Sequence, residues 1–179
     1  DMKKHIYLVL NKPQGYISAT EDRTAKTVLD LVPEQYMRKR LFPAGRLDKD
    51  TTGMMIITDD GEFAHNILAP RKHIEKTYKV QIDIDITEEM REKFKQGIVL
   101  KDHVCCPATI VVKDKNTALI TITEGKYHQI KRMFGCFGAK VVRLHRISMG
   151  GLQLPRDLEE GQCRELTKEE LEKVCTRDK

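Results

Sequence analysis

The feature that most constrains this chain is a carboxylate set between a turn and a strand, in the segment Gly45-Arg46-Leu47-Asp48-Lys49-Asp50-Thr51-Thr52-Gly53. The apolar run Met54–Ile57 follows at once and predicts a buried strand. A charge beside a buried strand costs free energy unless it has a partner or a chemical role. Asp48 is therefore the first candidate functional residue. The alternative is an Asx-type turn, in which Asp48 only bonds its own backbone.

Strand-like and helix-like segments alternate irregularly along the chain. The predicted strands are His5–Asn11, Tyr16–Ala19, Gly53–Thr58, Glu75–Ile82, Ala108–Val112, Ala118–Thr123 and Val141–Ile147. The predicted helices are Thr27–Val32, Glu62–Leu68, the Thr87-capped segment to Gln96, His128–Phe137 and Lys168–Val174. Several neighbouring strands form hairpin-like pairs. This pattern favours an α+β fold with a mixed, largely antiparallel sheet over a doubly wound parallel sheet.

The composition indicates a globular chain of one domain, residues 1–179. Hydrophobic residues make up 40% and charged residues 33%, and no apolar run approaches the ~20 residues that span a bilayer. The N-terminus does not read as a signal peptide. The five cysteines are odd in number and lack Cys-x-x-Cys spacing. We therefore expect neither a zinc site nor a disulfide framework, and a location in the reducing cytoplasm.

Charge is distributed unevenly. The net charge is +5, and residues 125–156 contain no Asp or Glu. That segment, called the basic segment below, carries seven cations: Lys126, Lys131, Arg132, Lys140, Arg143, Arg146 and Arg156. A solvated helix face usually mixes the two signs, so this separation predicts a positive surface for a nucleic acid.

Two further residues could act with Asp48. A nucleophilic carboxylate that is partly buried needs a cation to stay ionised, and Lys131 is a candidate. On a helix, His128, Lys131 and Arg132 share neighbouring faces, while the apolar residues of the segment face the core. Tyr78 could stack on a base or handle a proton. The alternatives are a phosphate-binding lysine and an ordinary strand tyrosine with a solvated hydroxyl.

The chain resembles the RsuA-type pseudouridine synthases. The motifs that carry the resemblance occur in family order: Asn11–Gly15 (NKPQG), Gly45–Gly53, Pro70–Tyr78, Glu124–Met133 (EGKYHQIKRM), Leu144–Arg146 with Gly150–Leu152, and Gly161–Leu166. They extend over nearly the whole chain. The resemblance implies the pseudouridine synthase fold, with two subdomains and short flanking helices around a central cleft.

The resemblance also implies a reaction, the isomerisation of uridine in RNA to pseudouridine, without cofactor or metal. Asp48 would be the nucleophile, Lys131 its partner, and Tyr78 would stack on the target base. Arg46 would help to hold the target nucleotide out of its helix. The other residues expected to bind the substrate are Lys12, Arg71, Lys76, His128, Gln129, Arg132 and Arg146.

Many members of this family carry an S4-type RNA-binding module before the first motif, and we expect it to be absent from this chain. In their details, the motifs resemble the branch of the family that modifies small-subunit (16S) ribosomal RNA more than the branches that modify large-subunit RNA. The expected partner is ribosomal RNA or an assembling subunit, bound by a monomer with no membrane contact. The alternatives are a synthase for large-subunit RNA, a ribosome-associated RNA-binding domain without activity, and a nucleic-acid hydrolase. The hydrolase ranks last because the tight acidic pairs lack a histidine at ligand spacing.

Overall fold

The computed structural model describes residues 5–38 and 40–175. Its strands are β1 (Tyr7–Lys12), β2 (Phe42–Ala44), β3 (Thr52–Thr58), β4 (Lys76–Ile82), β5 (Thr109–Asp114), β6 (Thr117–Ile122), β7 (Val141–Met149), β8 (Leu152–Gln153) and β9 (Cys163–Glu165). Its α-helices are α1 (Gly61–Leu68), α2 (Glu88–Gln96), α3 (Gln129–Gly135) and α4 (Lys168–Val174). Three 3-10 turns lie at Val28–Leu31, Glu34–Tyr36 and Pro70–Lys72.

These strands form one mixed sheet in the order β5-β6-β4-β7-β3-β1-β9, with β2 beside β3 and β8 beside β7. All the strand pairs are antiparallel except β3 with β7. That parallel contact spans only Thr52↔His145 and Gly53↔Arg146. It joins the two halves of the sheet, and the cleft described below lies at this junction. The predicted α+β fold with a largely antiparallel sheet is confirmed.

The sheet has an apolar layer on each side. On one side, α2 contributes Met90 and Phe94 and α3 contributes Met133 and Phe134 to a core that extends across both halves. On the other side, α1 and α4 cover the half that contains β1 and β3. Strand β4 shows why the layers separate: Tyr78, Val80 and Ile82 are buried on one face, while Lys79 and Gln81 alternate with them on the other.

Capping residues in the sequence predicted the ends of two helices correctly. Helix α2 starts where the Thr87 side chain accepts a hydrogen bond from the Met90 amide, and it ends before Gly97. Helix α4 opens with the predicted capping box, in which Thr167 and Glu170 satisfy each other's backbone amides. Both helices have the predicted bounds.

Other predictions of local structure were wrong. The segment 16–19 is not a strand, since Ile17 makes only one isolated bridge, to Thr27. The segment Thr27–Val32 forms only a 3-10 turn. Helix α3 is shorter than predicted, because His128 takes a left-handed backbone conformation with φ of 47° and cannot belong to the helix. Among the described residues, no helix is long and apolar enough to cross a membrane.

Candidate active site

Asp48 lies on the loop that connects β2 to β3. Strand β2 pairs with the far end of β3, at Ile56 to Thr58, while β7 takes the same edge of β3 at Thr52 and Gly53. The loop from β2 therefore returns to the sheet at the start of β3, where the neighbour of β3 is β7 and no longer β2. This geometry puts Asp48 at the junction of the two halves of the sheet.

A buried lysine, Lys12, holds the loop that carries Asp48. The ammonium of Lys12 donates to the carbonyls of Asp48 (3.1 Å), Lys49 (3.1 Å), Thr51 (2.7 Å) and Pro13 (3.1 Å). These are four acceptors for three N–H groups, and Lys12 is fully buried. Burial lowers the pKa of Lys12 to about 8, against the opposing effect of the nearby carboxylates. These bonds show that the charge of Lys12 fixes the loop that carries Asp48, and the predicted contact of Lys12 with RNA stays a prediction.

The carboxylate of Asp48 has an ammonium and an imidazole as neighbours. The Lys131 ammonium lies 2.9 Å from Oδ2, and the imidazole Nε2 of His128 lies 3.4 Å from Oδ1. Lys131 also contacts Asp50 Oδ1 at 2.9 Å, and its hydrogen bond holds the pKa of that carboxyl below its usual value. Burial opposes the charge on Lys131, but the two carboxylates outweigh it and raise the pKa of Lys131. One ammonium thus bridges two carboxylates, of which Asp48 is 30% exposed and Asp50 68%.

The segment before α3 is shaped by its own hydrogen bonds. The buried side chain of Gln129 accepts from the Lys126 amide (3.1 Å) and donates to Glu124 (3.1 Å). The Arg132 side chain donates to the Tyr127 carbonyl at 2.9 Å. These bonds support the left-handed backbone of His128, which a histidine adopts only at a cost. They explain how His128 and Lys131 both reach Asp48.

Tyr78 and Arg146 form another wall of the cleft, apart from the Asp48 loop and the segment before α3. Both are buried, and a guanidinium nitrogen of Arg146 lies 3.4 Å from the Tyr78 hydroxyl. Arg146 also donates to the Met54 carbonyl at 2.9 Å, while its Nη2 is buried and has no hydrogen-bond partner among the described residues. Gly53 makes this packing possible, because a Cβ atom there would lie 2.2 Å from the Arg146 carbonyl oxygen.

Two adjoining cavities open between these walls. The smaller, of about 60 Å³, is lined by Asp48, Tyr78, His128 and Lys131 among others. The larger, of about 370 Å³, is lined by Lys76, Tyr78, Glu124 and Arg146 among others, and it falls in the range of small-ligand sites. Four residues line both cavities: Arg46, Tyr78, Gly125 and Lys126. A carboxylate beside an ammonium at the edge of such a cavity is suited to nucleophilic chemistry.

A still larger cavity, of about 980 Å³, lies over the polar face of β4, β6 and β7 and includes Lys79, Arg143 and His145. Tyr78 faces the other side of the sheet. We therefore place the site in the two smaller cavities, where the charged groups converge.

The structure brings most of the predicted site residues together. Asp48, Tyr78 and Lys131, with Arg46, His128, Gln129, Lys76 and Arg146, all line one or both of the small cavities. Lys76 is buried, and its burial lowers its pKa to about 8, with nearby Arg146 acting in the same direction. Arg71 is exposed next to Pro70, which lines the larger cavity. Arg132 lies outside both and pairs with Asp102 at 2.7 Å.

Sequence reasoning missed three contributors. Asp50 shares Lys131 with Asp48, Lys126 lines both cavities, and Glu124 anchors Gln129. All three lie inside the motifs quoted above, and that position was the one sign in the sequence that they belong to the site. Their roles depend on contacts across the fold that spacing along the chain does not reveal.

Fold and site together define a class: an α+β protein with an Asp–Lys ion pair in the cleft of its sheet. Residues 6–135 match the family model described as RNA pseudouridylate synthase. The chain belongs to this family.

Similar proteins agree with this membership. The chain is 46% identical over 176 residues to the uncharacterized RNA pseudouridine synthase YtzG of Bacillus subtilis, covering 96% of this chain and 74% of the relative. It is 44% identical over 170 residues to ribosomal small subunit pseudouridine synthase A of Escherichia coli K12, covering 94% and 73%. A crystal structure of a pseudouridylate synthase superposes with a TM-score of 0.90 at 39% identity, covering 97% of this chain and 75% of that one.

Proposed function

We propose that this RNA pseudouridine synthase isomerises a specific uridine of small-subunit (16S) ribosomal RNA. The observation that carries the proposal is the Asp48–Lys131 pair at the mouth of a cavity, in a chain 44% identical to a relative named for the ribosomal small subunit. The relative's name supports the choice of RNA, and the pair supports the chemistry.

The reaction breaks the N1–C1′ bond of uridine, turns the uracil, and joins C5 to C1′. The proton on C5 is released and N1 takes up a proton, so the overall change is an isomerisation. Asp48 is the group that starts base release, either by attack on C1′ or by assisting a glycal-type intermediate. Both routes use the carboxylate oxygens of Asp48, and the Lys131 ammonium lies 2.9 Å from one of them.

The remaining groups in the cleft have the chemistry to hold the nucleotide. A base inside a helix is out of reach, so the target must be turned out into the cavity. We assign stacking on the base to the Tyr78 ring, which lines both cavities, and positioning of that ring to Arg146, which lies 3.4 Å from the Tyr78 hydroxyl. Arg46 and Lys126 are exposed at both cavities and are placed to contact phosphates.

Two buried members of the predicted set, Lys12 and Gln129, have a different task. Lys12 bonds the carbonyls of the Asp48 loop, and Gln129 bonds the Lys126 amide and Glu124, so they hold the two segments that carry Asp48 and Lys131. We propose that they position the catalytic residues. His128, which is 3.4 Å from Asp48, is assigned to orienting that carboxylate.

We also propose that the protein acts as a monomer in the cytoplasm, on ribosomal RNA or an assembling subunit. The reducing compartment is supported by the cysteines, which are odd in number and lack Cys-x-x-Cys spacing. Light scattering of the protein with and without RNA tests the monomer.

Release of tritium from RNA labelled at uridine C5 tests the function. Unmodified small-subunit RNA, large-subunit RNA and assembling small subunits are compared as substrates. We expect release from small-subunit RNA or its assembling particle. Release from large-subunit RNA alone would move the proposal to that branch, and tight binding without release from any of them would favour an RNA-binding domain without activity.

A further inference from the structure

Three side chains with metal-binding chemistry meet beside the larger cavity. The ligand atoms of His103, Cys105 and Glu124 all lie within 4.8 Å of one another. His103 and Glu124 line the cavity of about 370 Å³, and Cys105 is buried behind them. The spacing of cysteines along the chain gave no sign of this group, because the sheet brings Glu124, after β6, against the loop that follows α2.

We propose that His103, Cys105 and Glu124 form a binding site for a zinc-type divalent cation. The donors are an imidazole nitrogen, a thiolate sulfur and a carboxylate oxygen. Such a mixed set suits Zn²⁺, whereas Mg²⁺ and Ca²⁺ prefer oxygen ligands alone. The inference does not depend on the proposed choice of RNA, and metal binding can be measured without any activity.

The surroundings of Glu124 prepare its carboxylate for this role. Oε1 accepts hydrogen bonds from the Cys106 amide (2.9 Å) and the Gln129 side chain (3.1 Å). Oε2 faces the Nε2 atom of His103 at 2.5 Å. These two hydrogen bonds fix one oxygen in place, and the other oxygen is directed at the proposed site.

The loop that carries the other two donors is also well held. The Cys105 amide donates to the Ile98 carbonyl (2.8 Å), and the Leu100 amide donates to the His103 carbonyl (2.8 Å). At Gly97 the backbone approaches so closely that a Cβ atom would lie 2.7 Å from the Cys105 carbonyl oxygen. Cys105 and His103 are therefore presented by a braced loop.

Binding requires a small rearrangement and the loss of a proton. Tetrahedral zinc with bonds of about 2.0–2.2 Å to nitrogen and oxygen separates these two ligands by about 3.3 Å. The His103–Glu124 pair must therefore open by roughly 0.8 Å as the ion replaces the hydrogen bond. Cys105 releases its thiol proton to solvent, and the proton in the His103–Glu124 hydrogen bond moves from Nε2 through solvent to Nδ1, which frees Nε2 for the ion. A water would complete the tetrahedral set at the fourth position.

The proposed site is connected to the catalytic segment. Glu124 holds Gln129, and Gln129 holds the Lys126 amide at the turn that leads to His128 and Lys131. An ion bound to Glu124 would tie the loop at 103–106 to this turn and restrain it.

Cobalt is the probe for the test, because Co²⁺ replaces zinc and reports on thiolate ligation by colour. The reduced, metal-free protein is titrated with Co²⁺ and then with Zn²⁺. We expect one Co²⁺ per chain, a thiolate-to-cobalt charge-transfer band, and loss of that band as Zn²⁺ displaces the cobalt. Absence of the band in the wild-type protein would overturn the proposal.

Variants assign the ligands. Cys105→Ser should remove the band, while Cys175→Ser, which changes an exposed cysteine beyond α4, should keep it. His103→Gln alters a partly exposed side chain and should weaken Co²⁺ binding at least about 100-fold even if the Cys105 variant fails to fold. Unchanged Co²⁺ affinity in His103→Gln, or a charge-transfer band retained in Cys105→Ser, would show that the ion binds elsewhere and that His103 and Glu124 are only a hydrogen-bonded pair.

Discussion

At the scale of single residues, the site depends on charges whose partners come from distant parts of the chain. Asp48 and Lys131 are 83 positions apart in sequence and 2.9 Å apart in the structure. A motif can point to each residue, as it did here, but the contact between them follows only from the fold. The same is true of Lys12, which a motif suggested for RNA binding and which the fold buries under the Asp48 loop.

A substitution of Lys131 tests most clearly whether this residue serves catalysis or RNA binding. In Lys131→Met, Asp48 loses its ammonium partner while the rest of the positive surface remains. We expect the single-turnover rate to fall on the order of 100-fold or more, with RNA affinity within about threefold of wild type. The matched control is Lys140→Met, an exposed lysine of the same basic segment. A variant that only weakens binding, with a smaller salt dependence, would make Lys131 a phosphate contact instead.

Gly53 is the residue on which the packing of β3 against β7 depends. A Cβ atom at this position would lie 2.2 Å from the Arg146 carbonyl oxygen, and φ is 111°. We expect Gly53→Ala to lower the free energy of unfolding by about 3 kcal/mol or more in urea titrations.

Gly135→Ala is the control for that measurement. Nothing lies within 4 Å of a Cβ at Gly135, and the residue is helical, so the variant should be as stable as wild type or up to about 1 kcal/mol more stable. Equal stability of the two variants would contradict the role given to Gly53.

At the scale of elements, the sequence predicts well those that carry their own signals. Helices α2 and α4 have capping residues and clear ends, and their bounds were predicted correctly. Strands β2, β8 and β9 have two or three residues each and exist because longer strands offer them an edge. Their pairing is decided by the tertiary structure, so no local pattern could reveal them.

An ion pair links two of these elements and makes stability depend on acid. Arg164 of β9 forms two bonds with Glu170 of α4, at 2.8 and 2.9 Å. The Arg164 guanidinium lowers the pKa of Glu170 to about 2, from an ordinary value near 4.5. Because the folded pKa lies below the unfolded one, the stabilisation is present above about pH 4.5 and is lost as pH falls toward 2.

We therefore expect Glu170→Gln to lower the free energy of unfolding by about 1–3 kcal/mol near neutral pH and to flatten its decline between pH 4.5 and 2. Glu169→Gln, at the exposed neighbouring position, is the control and should leave both unchanged. Denaturant titrations across this pH range make the comparison. An unaltered acid dependence in Glu170→Gln would contradict the assigned pair.

At the scale of the whole molecule, the cleft arises where the two halves of the sheet meet. Strand β3 pairs with β2 at one end and with β7 at the other. The basic segment contains both α3 and β7, so it lies at the same junction. The distribution of charge predicted a nucleic-acid surface, and the motifs predicted the fold, because they extend through both halves. The cluster of His103, Cys105 and Glu124 stayed hidden, since it belongs to no spacing pattern and depends on how a loop meets the end of β6.

The central claim is that the Asp48 carboxylate starts the isomerisation. The most direct measurement compares tritium release and RNA affinity for wild type, Asp48→Asn and Asp50→Asn. The two variants each remove one carboxylate from Lys131, but only Asp48 lines the catalytic cavities.

We expect Asp48→Asn to release tritium at less than about one ten-thousandth of the wild-type rate, with affinity within about threefold, and Asp50→Asn to lose no more than about tenfold in rate. If Asp48→Asn instead turns over as fast as Asp50→Asn, the nucleophile has been assigned to the wrong residue.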